Sequence, residues 1–224
     1  REKLAKKQNL KIENVVLGAG SEGILSTIMR TFLLERDEII SAENSFIGFR
    51  ILANASGRKT HWVPMKNHKY SLKNMAKKIN KNTKIIYIAN PDNPMGTYIT
   101  KKEFDSFYKY VPGRVLIILD EAYYEFAQQF DDFPDSMLYR YDNVITLRTF
   151  SKAYGLAGLR IGYGFAREEL IKNLMKVKAP FEPSVIAQTA GNAALDDNSF
   201  LKKTINSNNQ EMHYLISELD RLAI

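Results

Sequence analysis

Lys152 and Arg160 sit in the run Thr149-Phe-Ser-Lys-Ala-Tyr-Gly-Leu-Ala-Gly-Leu-Arg-Ile-Gly-Tyr-Gly164, whose other residues are mostly glycine, small or apolar. An amine held among such neighbours, with a second cation nearby, is readily neutral and attacks carbonyl carbon. A guanidinium suits a two-pronged grip on phosphate, and the hydroxyls of Thr149 and Ser151 lie close in sequence as further donors. Asp120 ends the apolar run Val115-Leu-Ile-Ile-Leu119. A carboxylate there must meet a cation or protonate, and a protonated heterocycle nitrogen would serve as that cation. Asn93 lies between Pro91 and Pro94, which stiffen its loop. Its amide and the phenol of Tyr123 can donate to one ligand oxygen, and Phe46 can stack on a flat ring. In Gly18-Ala-Gly-Ser-Glu-Gly23 the glycines let the N–H groups of Gly20, Ser21 and Glu22 approach an anion.

Taken singly, each has a plainer reading. A lone lysine snorkels at the surface. An Asp after a strand caps a helix. Asn-Pro marks a turn, and Phe46 belongs to the core. The glycine run also fits a tight turn, and it lacks both the full dinucleotide fingerprint and the lysine of a phosphate-binding loop.

Placement along the chain changes that balance. Strand-like runs occupy Asn14–Leu17, Glu38–Ile40, Thr60–Val63, Lys84–Ala89, Val115–Leu119, Val144–Leu147 and Arg160–Phe165. Helical patterns lie between them at Glu22–Leu34, Phe46–Ser56, Ser71–Ile79, Lys101–Tyr110 and Glu168–Val177. Such alternation predicts an α/β domain around a mostly parallel sheet, and such sheets bind ligands at the carboxyl ends of their strands. Gly18–Gly23, Asn44–Phe46, Asn90–Gly96, Asp120–Tyr123 and Thr149–Lys152 each follow a strand, so five groups converge on one rim.

The 224 residues suffice for one large domain, alone or with a small appendage. The chain contains no cysteine, which excludes disulfides, thiolate metal sites and cysteine nucleophiles and is compatible with a reducing compartment. The net charge of +7 attracts anions. Lys66, Lys69, Lys73, Lys77, Lys78, Lys81 and Lys84 concentrate part of it, and the expected role is a solvated helix and its flanking turns, not a nucleic-acid surface. No apolar run can span a bilayer. His61, His68 and His213 are too scattered to form a metal site, and Asp131-Asp132 and Asp196-Asp197 fit solvated turns. Both termini look like interrupted helices, so a longer natural protein is expected.

One ligand meets every demand at the rim: a planar phosphorylated aromatic aldehyde with a ring nitrogen and a ring oxygen, pyridoxal 5′-phosphate (PLP). The motifs GAGSEG (Gly18–Gly23), NPDNPMG (Asn90–Gly96), LDEAYYEF (Leu119–Phe126) and TFSKAYGLAGLRIGY (Thr149–Tyr163) resemble, in order and spacing, those of fold-type I PLP-dependent aminotransferases. The similarity is greatest to the histidinol-phosphate branch and covers nearly the whole chain. It implies a three-layer large domain, a mostly parallel central sheet with helices on both faces, over residues 1–205. Residues 206–224 would begin a helix leading to a C-terminal small domain absent from this chain.

By the same resemblance, Lys152 bonds to the cofactor aldehyde and later shuttles a proton. Asp120 pairs with the ring nitrogen. Tyr123 and Asn93 bind the ring oxygen, and Phe46 covers the ring. Gly20, Ser21, Ser151, Arg160 and Thr149 hold the phosphate. The implied reaction moves an amino group from histidinol phosphate or an amino acid to a 2-oxo acid such as 2-oxoglutarate, in a cytoplasmic homodimer. Departures from the family pattern are mild: Asp92 and Met95 replace the common Asn and Thr, Glu43–Phe46 replaces a proline-and-tyrosine pattern, and Glu22-Gly23 replaces Asp-Glu. A threonine-phosphate decarboxylase, an aromatic aminotransferase and a non-catalytic PLP-sensing regulator domain are the rival readings.

Overall fold

The computed structural model describes residues 1–136 and 141–223. Seven strands, β1 (Val15–Gly18), β2 (Glu38–Ala42), β3 (Lys59–Val63), β4 (Thr83–Ala89), β5 (Leu116–Asp120), β6 (Val144–Thr149) and β7 (Gly162–Phe165), form one sheet in the order β1-β7-β6-β5-β4-β2-β3. The pairs among β2 to β6 are parallel, and β7 runs antiparallel to both its neighbours. The sheet is therefore mostly parallel, as expected.

The central strands are apolar on both sides because both faces are covered. Side chains alternate along a strand, and β4 shows the result. Ile85, Tyr87 and Ala89 join a core with Ile24, Leu25 and Ile28 of helix Gly20–Phe32, Phe49 of helix Ile47–Ala55 and Leu174 of helix Glu168–Val177. Ile86 and Ile88 join a second core with Met75 of helix Leu72–Lys78 and Phe104 and Phe107 of helix Lys101–Tyr108. A third cluster, with Val15, Tyr163 and Phe165 of the sheet, Leu4 of helix Glu2–Lys7 and Ala187 of helix Val185–Ala194, covers the β1–β7 end. Three layers result.

The lysine-rich segment behaves as a solvated face: Lys66, Lys73, Lys77, Lys78 and Lys81 are exposed. His61 bonds the Glu38 carboxylate at 2.7 Å, and among the described residues no group of three His, Cys, Asp or Glu side chains could hold a metal. Among them, too, no helix is long and apolar enough to cross a membrane. The expected strand from Arg160 begins only at Gly162, because Arg160 takes a left-handed backbone (φ 51°) that turns it out of the sheet. The expected boundary at 205/206 falls inside one unbroken helix, Asn198–Arg221, and residue 224 lies outside the described residues.

Candidate active site

Strand alternation sorts the residues at the carboxyl ends of β5 and β6. Asp120 and Thr149 share the face of Ile118 and Leu147, while Glu121 and Arg148 turn the other way and pair with each other at 2.8 Å in the interior. On the first face a pocket of about 160 Å³ opens. Phe46, Asn93, Asp120, Tyr123, Thr149, Ser151, Lys152, Arg160 and Ser21 all line it. Nine of the ten residues expected there thus meet in one concavity. The tenth, Gly20, adjoins it: a Cβ on Gly20 would stand 2.6 Å from Nη2 of Arg160.

Asp120 is the focus of the electrostatics. It is buried, and its Oδ2 accepts from the Tyr87 phenol at 2.9 Å. Burial pushes its carboxyl up to about 6, against the opposing pull of Tyr87, the Ala122 N–H and the Lys152 ammonium. Its Oδ1 is buried with no hydrogen-bond partner. Among the described residues one other buried side-chain oxygen shares that state, Oε2 of Glu125, and Glu125 does not line the pocket. An orphaned carboxylate oxygen facing a cavity is an acceptor awaiting a donor.

The other groups surround it. Nδ2 of Asn93 donates to the Tyr123 hydroxyl at 3.3 Å, so amide and phenol lie side by side. Nζ of Lys152 lies 5.4 Å from the centre of the Tyr123 ring. Lys152 is exposed instead of enclosed by apolar residues. The Phe46 ring folds back over Gly48, where a Cβ would meet it at 2.6 Å.

Groups that could hold an anion lie alongside. Helix Gly20–Phe32 starts at the pocket with no side chain capping it, so its first N–H groups stay open. Gly20 has φ +73°, and Gly162 of β7 packs so closely that a Cβ there would be 2.4 Å from the backbone N of Ser21. Arg160 donates to Ser151 Oγ at 3.3 Å and to the Ala157 carbonyl at 3.0 Å. Its Nη2 lies 4.0 Å from the Glu22 carboxylate. The Thr149 hydroxyl is spent inside the loop, donating to Ser151 Oγ at 3.0 Å.

Sequence reasoning missed Tyr87, the phenol that holds Asp120, and Phe49, which stacks on it at 3.7 Å. The available signal was a hydroxyl within the otherwise aliphatic run Ile85–Ala89, two residues before the rim.

These residues fit PLP on this structure's own terms: an unpartnered buried carboxylate oxygen for a ring N–H, an amine, and an arginine beside an open helix start.

The aminotransferase class I and II family model matches residues 1–224. A histidinol-phosphate aminotransferase 2 from Carboxydothermus hydrogenoformans is 38% identical over 226 residues, covering 100% of this chain and 62% of that protein. A second, from Hydrogenovibrio crunogenus, is 44% identical over 203 residues, covering 90% of this chain and 54% of that protein. The crystal structure of histidinol-phosphate aminotransferase from Sinorhizobium meliloti in complex with pyridoxal-5′-phosphate superimposes with a TM-score of 0.85 at 32% identity, over 91% of this chain and 56% of that one. The chain spans about three-fifths of the length of the curated relatives it matches first.

Proposed function

The chain belongs to the aminotransferase class I and II family, and from that premise we propose that the protein uses PLP to transfer an amino group from histidinol phosphate to a 2-oxo acid such as 2-oxoglutarate. The observation that carries this reading is the unpartnered Oδ1 of Asp120, in one pocket with Lys152 and Arg160. The names of the relatives support the donor.

Bound PLP supplies an aldehyde carbon open to amines and a ring that withdraws electrons. Lys152 would hold that aldehyde, and its freed amine would take a proton from the substrate carbon and return it at the cofactor carbon. Asp120 would accept from the ring N–H and keep it protonated. Asn93 and Tyr123 would donate to the ring oxygen, and Phe46 would cover a ring face. Gly20 and Ser21 N–H groups, Ser151, with Thr149 behind it, and Arg160 would bind the phosphate.

The same proposal assigns residues 1–205 to the PLP-binding large domain and 206–224 to the start of a helix leading to a small domain. In support, no residue of helix Asn198–Arg221 is buried, and Met212, Leu215, Ile216 and Leu219 form an exposed stripe. A cytoplasmic homodimer completes the proposal. Ile47 and Ile51, exposed on the helix that follows Phe46, are consistent with a partner beside the pocket.

The test is a visible spectrum of the full-length protein with PLP, followed by product analysis. The parent is expected to show an absorbance band that borohydride abolishes, and to form glutamate from histidinol phosphate and 2-oxoglutarate. Lys152→Ala should lack the band and lose more than about a hundredfold in rate. Release of carbon dioxide, or binding without turnover of any amine, would refute the assignment.

A further inference from the structure

Two loops carry the pocket residues Phe46 and Asn93, and the residue just before each is joined to the other. Ser45 Oγ donates to Asp92 Oδ1 at 2.7 Å. Asp92 is only 3% exposed although its turn reaches the surface. Ser45 Oγ also meets the Tyr70 hydroxyl, and that hydroxyl accepts from the Ala89 N–H at 2.9 Å. With the Ser45 hydroxyl donating to Asp92, the direction of every bond follows: Ala89 N–H to Tyr70, Tyr70 O–H to Ser45, Ser45 O–H to Asp92. Donors pointing one way toward an anion polarise one another. The second carboxylate oxygen accepts from the Met95 N–H at 3.3 Å, and the Asp92 backbone bonds Thr97 and Gly96, which closes the turn around Asn93.

We propose that Asp92 is a positioning residue that, through Ser45, fixes Phe46 relative to Asn93 and thereby sets the affinity of the pocket for PLP. The inference rests on the PLP reading above. Asp92 does not line the pocket, so its effect must pass through Ser45–Phe46 and through Asn93. Burial holds its carboxyl above the usual range while the Ser45 hydroxyl and the Met95 N–H pull it down, in keeping with a group retained for its bonds.

The test measures PLP affinity of the full-length protein by equilibrium absorbance titration, with hydrogen exchange of segments 43–46 and 90–97 in PLP-free protein. Asp92→Ala and Ser45→Ala should each weaken PLP about tenfold, and the double variant should be no weaker than the worse single. Asp92→Asn, which keeps an acceptor for Ser45, should stay within about threefold of the parent. Ser45→Ala should speed exchange in segment 90–97, although the substitution lies in the other loop. Ser45 is half-buried, so this variant keeps the test decisive if Asp92→Ala does not fold. Single variants that bind PLP like the parent, additive losses, or unchanged exchange in segment 90–97 would overturn the proposal and leave the PLP reading standing. A parent that binds no PLP would overturn both.

Discussion

Asp120 shows how a single residue can be costly to the fold and useful to the site. Its carboxyl, about 3.8 when free, is raised to about 6 by burial in the PLP-free protein. The sign follows from linkage: a carboxyl raised in the fold contributes fully below its unfolded value, and that contribution is lost as pH rises through the folded value. The loss is about 3 kcal/mol between roughly pH 4 and pH 6. Asp120→Asn cannot ionise, so PLP-free Asp120→Asn should be more stable than the parent at pH 7.5 and no more stable at pH 4. Urea unfolding at the two pH values checks this. The same variant should bind PLP more weakly, because an amide N–H can face the ring N–H where Oδ1 stood. A carboxylate ending an apolar strand was legible in the sequence as a group needing a partner. The Tyr87 phenol that holds its other oxygen was not, since a tyrosine within Ile-Ile-Tyr-Ile gives no sign of the neighbouring strand's register. Only the pairing of Ala89 with Asp120 puts Tyr87 within reach.

At the scale of elements, the sequence was clearest where a face is apolar and least clear where packing is made of small residues. The strands of the parallel core and helix Glu168–Val177 announce themselves by period and composition. Helix Val185–Ala194, VIAQTAGNAA, does not; it lies where Ala187 and Gly191 let it close on Phe150 and Ile161, and Ser184 caps it. The short helix Tyr124–Ala127 is too brief for any periodic signal. The close seat of helix Gly20–Phe32 on β7 was equally hidden, and it makes a sharp prediction. A Cβ at Gly162 would lie 2.4 Å from the backbone of Gly20 and Ser21, so Gly162→Ala must push the start of that helix away from the sheet. The expected result is a loss of about 1–3 kcal/mol in stability and a larger proportional loss of PLP affinity, since the displaced N–H groups are the proposed phosphate donors. Gly158→Ala is the control: nothing lies within 4 Å of its Cβ, and it should change neither quantity. Urea unfolding and PLP titration of both variants test the contrast.

For the molecule as a whole, charge and shape act at different ranges. The pocket itself presents few charges, Lys152, Arg160 and Glu22 at its mouth and Asp120 at its floor. These cancel, so the whole net charge of +7 lies elsewhere, and Lys73, Lys77, Lys78 and Lys81 stand exposed on or beside the helix Leu72–Lys78, which packs in the layer on the opposite face of the sheet from helix Gly20–Phe32. Charges at that distance cannot hold a phosphate in place, because screening extends only about 10 Å at 0.1 M salt. They can raise the encounter rate of an anion at low salt, since the summed field steers diffusing ligands. In the proposed binding mode, retention would then depend on contacts to Arg160, Ser151 and the open helix start, which are much shorter than the screening length. Stopped-flow mixing of PLP with the protein should therefore show association slowing several-fold between 0.02 M and 0.5 M salt, with dissociation nearly constant. Lys73→Glu, Lys77→Glu and Lys81→Glu combined should slow association at low salt and leave dissociation as it was. An effect of the triple variant on dissociation instead would mean that these lysines act on the pocket through the sheet and not through the field.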